Sequence, residues 1–174
     1  MRNDKLLLFK VNILPIGRLF PHMNELKGIY VEGTRITPKI EFTHIIGELI
    51  LEGRSIPENT AKVYEPLLVW INEYVKSPCS TTNLHLKLEY FNSASLIWII
   101  KIILALSNIE LAGAILYVHL YFEIEDFEDG ITDEVRIIID ALTDKIHNLK
   151  FNIAIKTHGT DSNGKIIKES TILV

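Results

Sequence analysis

The chain has 174 residues, 48% of them hydrophobic and 23% charged, which fits one globular domain with a real core and excludes disorder over most of the length. Its 18 basic and 22 acidic residues leave a net charge of -4 without a clustered Lys/Arg stripe, so no nucleic-acid partner is expected. The single cysteine, Cys79, excludes an internal disulfide, has no second Cys or local His with which to share a metal, and fits a reducing, cytosolic setting.

Residues 1–25 read as an N-terminal extension, basic and apolar, broken by Pro15, Gly17 and Pro21 and containing a second candidate initiator at Met23; they are either poorly ordered or an over-called start. The apolar run 6–20 is interrupted by Lys10, Pro15 and Arg18 and carries no small-residue cleavage site, so it makes a poor signal peptide. A second run, 96–106, contains Lys101 and falls short of the roughly 20 residues that span a bilayer. A soluble protein without membrane insertion is expected.

A compact domain follows over 26–158. Ile29 and Val31 alternate, residues 33–38 form a turn, and 39–43 and 48–52 read as a hairpin around Ile45, Ile46 and Gly47, with Ile40, Phe42, Leu49 and Leu51 facing one core. Ser55, Pro57 and Glu58 carry a helix-start signature, Ser55 as the cap. The helix they open runs to about Lys76 with two adjoining apolar stripes, Ala61, Tyr64, Leu68, Ile71 and Val75 beside Val63, Leu67, Trp70 and Tyr74, and Pro66 predicts a kink.

The cleanest strand pattern is Leu84, Leu86, Leu88 and Tyr90 alternating with His85, Lys87 and Glu89. It ends at Asn92-Ser93-Ala94-Ser95, and an almost wholly apolar helix follows over about 94–108, with Ile97, Trp98 and Ile102 expected in the core. Residues 114–124 are the next strand. Glu123, Glu125, Asp126, Glu128 and Asp129 then form an acidic loop closing at Gly130, either a solvated connection or a partner-docking segment. A third helix is expected over 132–148, burying Val135, Ile138, Ile139, Leu142 and Ile146, and a strand through Phe151, Ile153 and Ile155. The tail, 159–174, is a loose arm or one added edge strand. Alternating βαβαβαβ from Glu48 onward implies a single α/β domain, a mixed sheet with right-handed crossovers and three main helices.

The chemistry concentrates at the hydroxyl turn. A Ser between strand and helix is a preferred N-cap, and on pattern alone that reading leads for Ser93 and Ser95. The same position offers free N–H groups and the positive end of a helix dipole to an anion. A serine hydrolase would need Ser93 as nucleophile, His85 or His119 as base and Asp126 as orienter, but no glycine elbow flanks Ser93. The acidic residues lack the spacing and central glycine of a calcium loop, and no glycine-rich phosphate loop is present, so neither a metal nor a cofactor is implied.

Taken jointly, Gly33-Thr34 with Thr37-Pro38-Lys39-Ile40, Gly53-Arg54-Ser55-Ile56-Pro57-Glu58-Asn59, Trp70, and Glu89-Tyr90-Phe91-Asn92-Ser93-Ala94-Ser95 resemble the SiaC family of bacterial regulatory phosphoproteins over about 26–151. The resemblance implies a STAS-like domain with no enzymatic activity of its own. It implies one phosphoacceptor at Ser93, where some family members have Thr, and leaves Ser95 as the cap. Asn92, Tyr90, Pro57, Glu58 and Asn59 would surround it, unless Pro57-Glu58-Asn59 is a helix start and nothing more. The implied partners are a cognate kinase of the histidine-kinase-like ATPase type, a PP2C-type phosphatase, and an output protein bound by the unphosphorylated form, in the best-known system a diguanylate cyclase. One departure is His119-Leu120-Tyr121-Phe122, where the family commonly has a Trp. Without the phosphoswitch, the same shape would serve as a constitutive protein-binding domain.

Overall fold

Seven strands lie side by side in the order in which the chain makes them. A computed structural model describes residues 26–128, 136–140 and 152–173. Its strands are β1 (Ile29–Val31), β2 (Lys39–Thr43), β3 (Glu48–Ser55), β4 (Thr81–Phe91), β5 (Ile115–Glu123), β6 (Asn152–Thr160) and β7 (Ile166–Leu173). The order in the sheet is β1-β2-β3-β4-β5-β6-β7. β3 to β6 pair in parallel, while β1, β2 and β7 join by antiparallel pairs. The crossovers β3 to β4 and β4 to β5 are made by α1 (Thr60–Tyr74) and α2 (Ser93–Leu106). A short helix, α3 (Ile124–Glu128), follows β5, and residues 136–140 are helical.

One face of the sheet makes the core. Ile40 and Phe42, Leu49 and Leu51, Leu84, Leu86 and Leu88, Leu116, Val118 and Leu120, and Ile153 and Ile155 are buried on successive strands. Over them lie Tyr64, Leu67, Trp70, Ile71 and Tyr74 of α1 and Ile99, Ile102, Ile103 and Leu106 of α2. Strand alternation therefore sends the intervening residues to the other face, where Glu48, Asn83, His85, Lys87, Tyr117 and Tyr121 are half-buried. Trp70 is anchored at the margin, its indole N–H donating to the Lys27 carbonyl at 2.7 Å. No helix of the described residues is long and apolar enough to cross a membrane.

Several sequence expectations are corrected. Ser55 does not cap α1; it ends β3, and Asn59 caps instead, its Oδ1 accepting from Lys62 N at 3.1 Å. The strand outlasts the helix-start signature because Ser55 still pairs with Phe91 of β4. The expected alternation of β4 also fails at its end. The register shifts between Gly53 and Arg54, which pair with Leu88 and Tyr90, so Glu89 is an extra residue and Tyr90 turns outward, 56% exposed. The acidic segment is not all loop: Glu125 belongs to α3, whose Phe127 packs against Gly159. Asp129 and Gly130 lie outside the described residues, as do 1–25, most of the expected third helix and Phe151.

Ile97 is the fourth correction, exposed rather than in the core, while Trp98 is half-buried and Ile102 fully buried. Helix α1 continues through the exposed Pro66. Beyond residue 158 the sheet goes on, and β7 is the added edge strand that the tail pattern allowed. One glycine is fixed by space as well as by conformation. Gly47, at φ 69°, ends the β2–β3 turn where a Cβ would collide with the Thr81 carbonyl oxygen.

Leu84 is fully buried at the centre of this packing, so Leu84→Ala should cost about 3 kcal/mol. Val69→Ala on the exposed side of α1 should change stability by less than about 0.5 kcal/mol. Urea unfolding of the two variants checks the assignment of faces.

Candidate functional site

Helix α2 starts because Asn92 caps it. The Asn92 backbone is extended (φ -91°, ψ 169°), and its side-chain oxygen accepts the Ser95 N–H at 2.9 Å. Ser95, expected to be the cap, is thus the third helical residue and donates to one through its backbone. Its side chain turns inward and is fully buried.

There it completes a chain of hydroxyls that sequence reading missed. Ser95 Oγ donates to the Ser55 carbonyl at 2.8 Å, and Ser55 Oγ donates to Ser95 Oγ at 2.9 Å. The Ser55 hydroxyl hydrogen is committed, so the Tyr64 hydroxyl, 2.7 Å away, donates to Ser55 Oγ. Burial pushes the Tyr64 pKa up, which keeps its proton available for that bond. The Ser55 carbonyl also accepts from Asn92 N at 3.2 Å. Three elements, β3, α1 and α2, are pinned together directly beneath the turn.

Ser93 occupies the first position of α2 and is exposed. The first turn of the helix holds no acidic residue. Ser93 and Ile97, four residues apart, share one face of the helix, so the hydroxyl sits beside an exposed apolar side chain. Lys101, one further turn along, lies 4.1 Å from the Trp98 ring centre.

The loop at 56–59 leaves β3 next to this turn. Ile56 N donates to the Ile36 carbonyl at 2.9 Å, drawing in the 33–38 turn, whose Thr34 hydroxyl accepts from Ile36 N and Thr37 N. Pro57 is buried, whereas Glu58 and Asn59 are exposed. Tyr90 lies on the strand leading into the turn, with the Arg54 guanidinium 5.7 Å from its ring centre. The structure therefore links the motif residues of three sequence segments in series, the 33–38 turn to Ile56 and Ser55 to the start of α2. Only the hydroxyl chain gives no signal in the sequence, because Ser55 and Ser95 are 40 residues apart.

A hydrolase is not assembled here. Roughly 20 Å of strand separates His85 from Phe91. The ring nitrogens of His85 meet Glu48 and Tyr121, and those of His119 meet Asn83 and His158. Neither histidine serves Ser93. Among the described residues no group of three or more His, Cys, Asp or Glu could hold a metal ion. Cys79 is half-buried, its Sγ 3.1 Å from the His44 carbonyl oxygen.

Comparison with known proteins falls on the same segments. A family model described as SiaC family regulatory phosphoprotein matches residues 31–156. An uncharacterized protein of Pseudomonas aeruginosa (strain UCBPP-PA14) is 28% identical over 68 residues, covering 39% of this chain and 54% of that protein. The chain thus spans about half the length of that curated relative. The crystal structure of apo-SiaC from Pseudomonas aeruginosa is similar with a TM-score of 0.53 at 20% identity, over 74% of this chain and 98% of that one. A third likeness, TM-score 0.55 at 20% identity over 75% and 99%, is to the crystal structure of the diguanylate cyclase SiaD in complex with its activator SiaC, again from Pseudomonas aeruginosa. At this identity these structures establish a common fold.

The hydroxyl chain and the Ser93 hydroxyl should separate cleanly by mutation. Ser95→Ala, which strands buried partners, should cost about 1 to 3 kcal/mol, and Asn92→Ala about 1 kcal/mol. Ser93→Ala should stay within about 0.5 kcal/mol of the unaltered protein in urea unfolding.

Proposed function

The chain belongs to the SiaC family of regulatory phosphoproteins, and from that premise we propose that it is a phosphorylation-controlled binding protein whose acceptor is Ser93. The observation that carries the reading is the placement of Ser93. It is exposed, stands at the first position of a 14-residue helix, and shares a helical face with the exposed Ile97. A kinase needs such an accessible hydroxyl. The buried Ser55–Tyr64–Ser95 chain beneath ties the start of α2 to β3 and α1.

The phosphate would act by charge and solvation. It adds about -1.5 to -2 charges at neutral pH. The N-terminal N–H groups and positive dipole end of α2 favour that charge in the free protein. In a complex, the same charge would have to be desolvated beside Ile97, which opposes apolar docking. Phosphorylation therefore favours the free state and disfavours the bound one. The unphosphorylated form is the binding form.

The output partner is a diguanylate cyclase or a protein docking in the same manner, by analogy with the SiaC that is crystallised as the activator of SiaD. A histidine-kinase-like ATPase would add the phosphate and a PP2C-type phosphatase remove it, both acting in the cytoplasm. Tyr90 and Asn92, which precede Ser93 in the chain, and the exposed Glu58 and Asn59 would contact these enzymes.

Intact-mass measurement after incubation with the kinase and ATP should show one added phosphate, lost in Ser93→Ala; addition at another residue would overturn the assignment. Ser93→Asp and Ile97→Asp should each weaken output binding by about tenfold or more, equivalent to about 1.4 kcal/mol, while Ser93→Ala binds as the unaltered protein does. Equal affinity of the Asp and Ala variants at Ser93 would sink the electrostatic account.

A further inference from the structure

The face of the sheet turned away from α1 and α2 carries a line of polar side chains that crosses five strands. Asn83 on β4 donates Nδ2–H to Glu48 Oε1 on β3 at 2.7 Å, and its Oδ1 meets His119 Nε2 on β5 at 3.1 Å. His119 Nδ1 meets His158 Nε2 on β6 at 2.9 Å, with the rings tilted by only 6° and their centres 5.2 Å apart, an edge-to-edge approach. His158 Nδ1 meets Glu169 Oε1 at 3.0 Å, and His158 and Glu169 are direct cross-strand partners on β6 and β7.

Counting hydrogens along this line leaves one missing. Carboxylates accept and do not donate, so Glu48 orients the Asn83 amide with its NH2 group inward and its oxygen toward His119. His119 must then carry hydrogen on Nε2. At the other end Glu169 requires hydrogen on His158 Nδ1. If both imidazoles are neutral, His119 Nδ1 and His158 Nε2 are both bare, and two lone pairs face each other across 2.9 Å. One additional proton in that contact satisfies every group in the line. A second would set two N–H groups against each other.

We propose that His119 and His158 form one proton-binding site, filled by a single proton bridging the two rings, and that this proton and the Glu169 carboxylate of β7 bind cooperatively. The surroundings place the proton on His158. Burial pulls both rings below the ordinary imidazole range, and His119, further opposed by the charges of His85, His158, Lys156 and Lys87, falls to about 3. At His158 the hydrogen bond and charge of Glu169 work against that pull. His85 does not compete. A neutral ring suffices for it, with Nε2–H donating to Glu48 Oε2 and Nδ1 accepting from the Tyr121 hydroxyl, both at 2.9 Å. Its pKa is lowered as well, chiefly by burial. Lys156 and Lys87, held over the Tyr117 and Tyr121 rings at 4.2 and 5.4 Å, add positive charge beside the two rings and disfavour a second proton.

The coupling runs both ways. Anything that draws Glu169 away from His158 lowers the site's proton affinity, and filling the site strengthens the hold on Glu169. Edge strand β7 is thereby tied to the ambient pH through one side chain.

Nitrogen-resolved NMR of the histidine rings in the full chain, titrated from about pH 8 to about pH 4, tests this. For the His119–His158 pair the expected result is one protonation step, on His158 and below the ordinary imidazole range, with His119 keeping its hydrogen on Nε2 throughout. Glu169→Gln, at a side chain 61% exposed and so tolerant of change, should move that step down by about one pH unit. Two independent steps, no step at all, or a step unmoved by Glu169→Gln would each overturn the proposal.

Discussion

The end of β3 is held to the start of α2 by one carbonyl. The Ser55 oxygen accepts both the Asn92 N–H and the Ser95 hydroxyl, while the Ser55 side chain ties in Tyr64 of α1. Two parallel strands and both crossover helices meet at that point. Each hydroxyl donates once along a line ending on a backbone acceptor, so no buried side-chain donor or acceptor there is left open. Parallel strands place their carboxyl ends at one edge of the sheet, and Ser93, Glu58, Arg54 and Tyr90, which follow or end those strands, are exposed.

The sheet divides the molecule's chemistry by face. Because the strands follow one another in chain order and α1 packs against α2, the apolar halves of β2 to β6 form a common floor under both helices. On the remaining halves Glu48, Asn83, His85, His119, Tyr121, His158 and Glu169 are joined side chain to side chain. Each central strand therefore serves two different solvents. β4 is the clearest case, with Leu84, Leu86 and Leu88 under the helices and Asn83, His85 and Lys87 on the polar side.

How far the sequence reveals this depends on the range of the interaction. Strand alternation through Leu88, the apolar length of α2 and the break at Asn92 are local, and the residues that express them are neighbours, so the fold class and the hydroxyl turn are legible. The choice of Asn92 over Ser95 as cap depends on where the first helical turn begins, at Ser93 after Asn92 or three residues later after Ser95, and either residue type can cap. The outward swing of Tyr90 depends on pairing with β3, and the hydroxyl chain and the histidine line on side chains brought together by register from 36 to 40 positions apart or from separate strands. Periodicity in one segment contains none of that information. The exposure of Ile97 is hidden for a related reason: α2 is apolar nearly all round, so its composition does not distinguish the side that faces away.

The extra residue in β4 sets the orientation of the start of α2 by counting rather than by contact. With Glu89 unmatched, Phe91 faces the helices and Tyr90 faces out, and the chain reaches Asn92 in the phase that starts α2 with Ser93 uncovered and Ser95 beneath it. Substitution at Glu89 leaves that phase intact, because the residue is exposed and its place in the count does not depend on its side chain. Loss or gain of one residue would invert it, exchanging Tyr90 with Phe91 and rotating the helix start. Position 89 is thus permissive toward changes of side chain and closed to changes of length, and the azimuth of Ser93 is fixed by the number of residues before it.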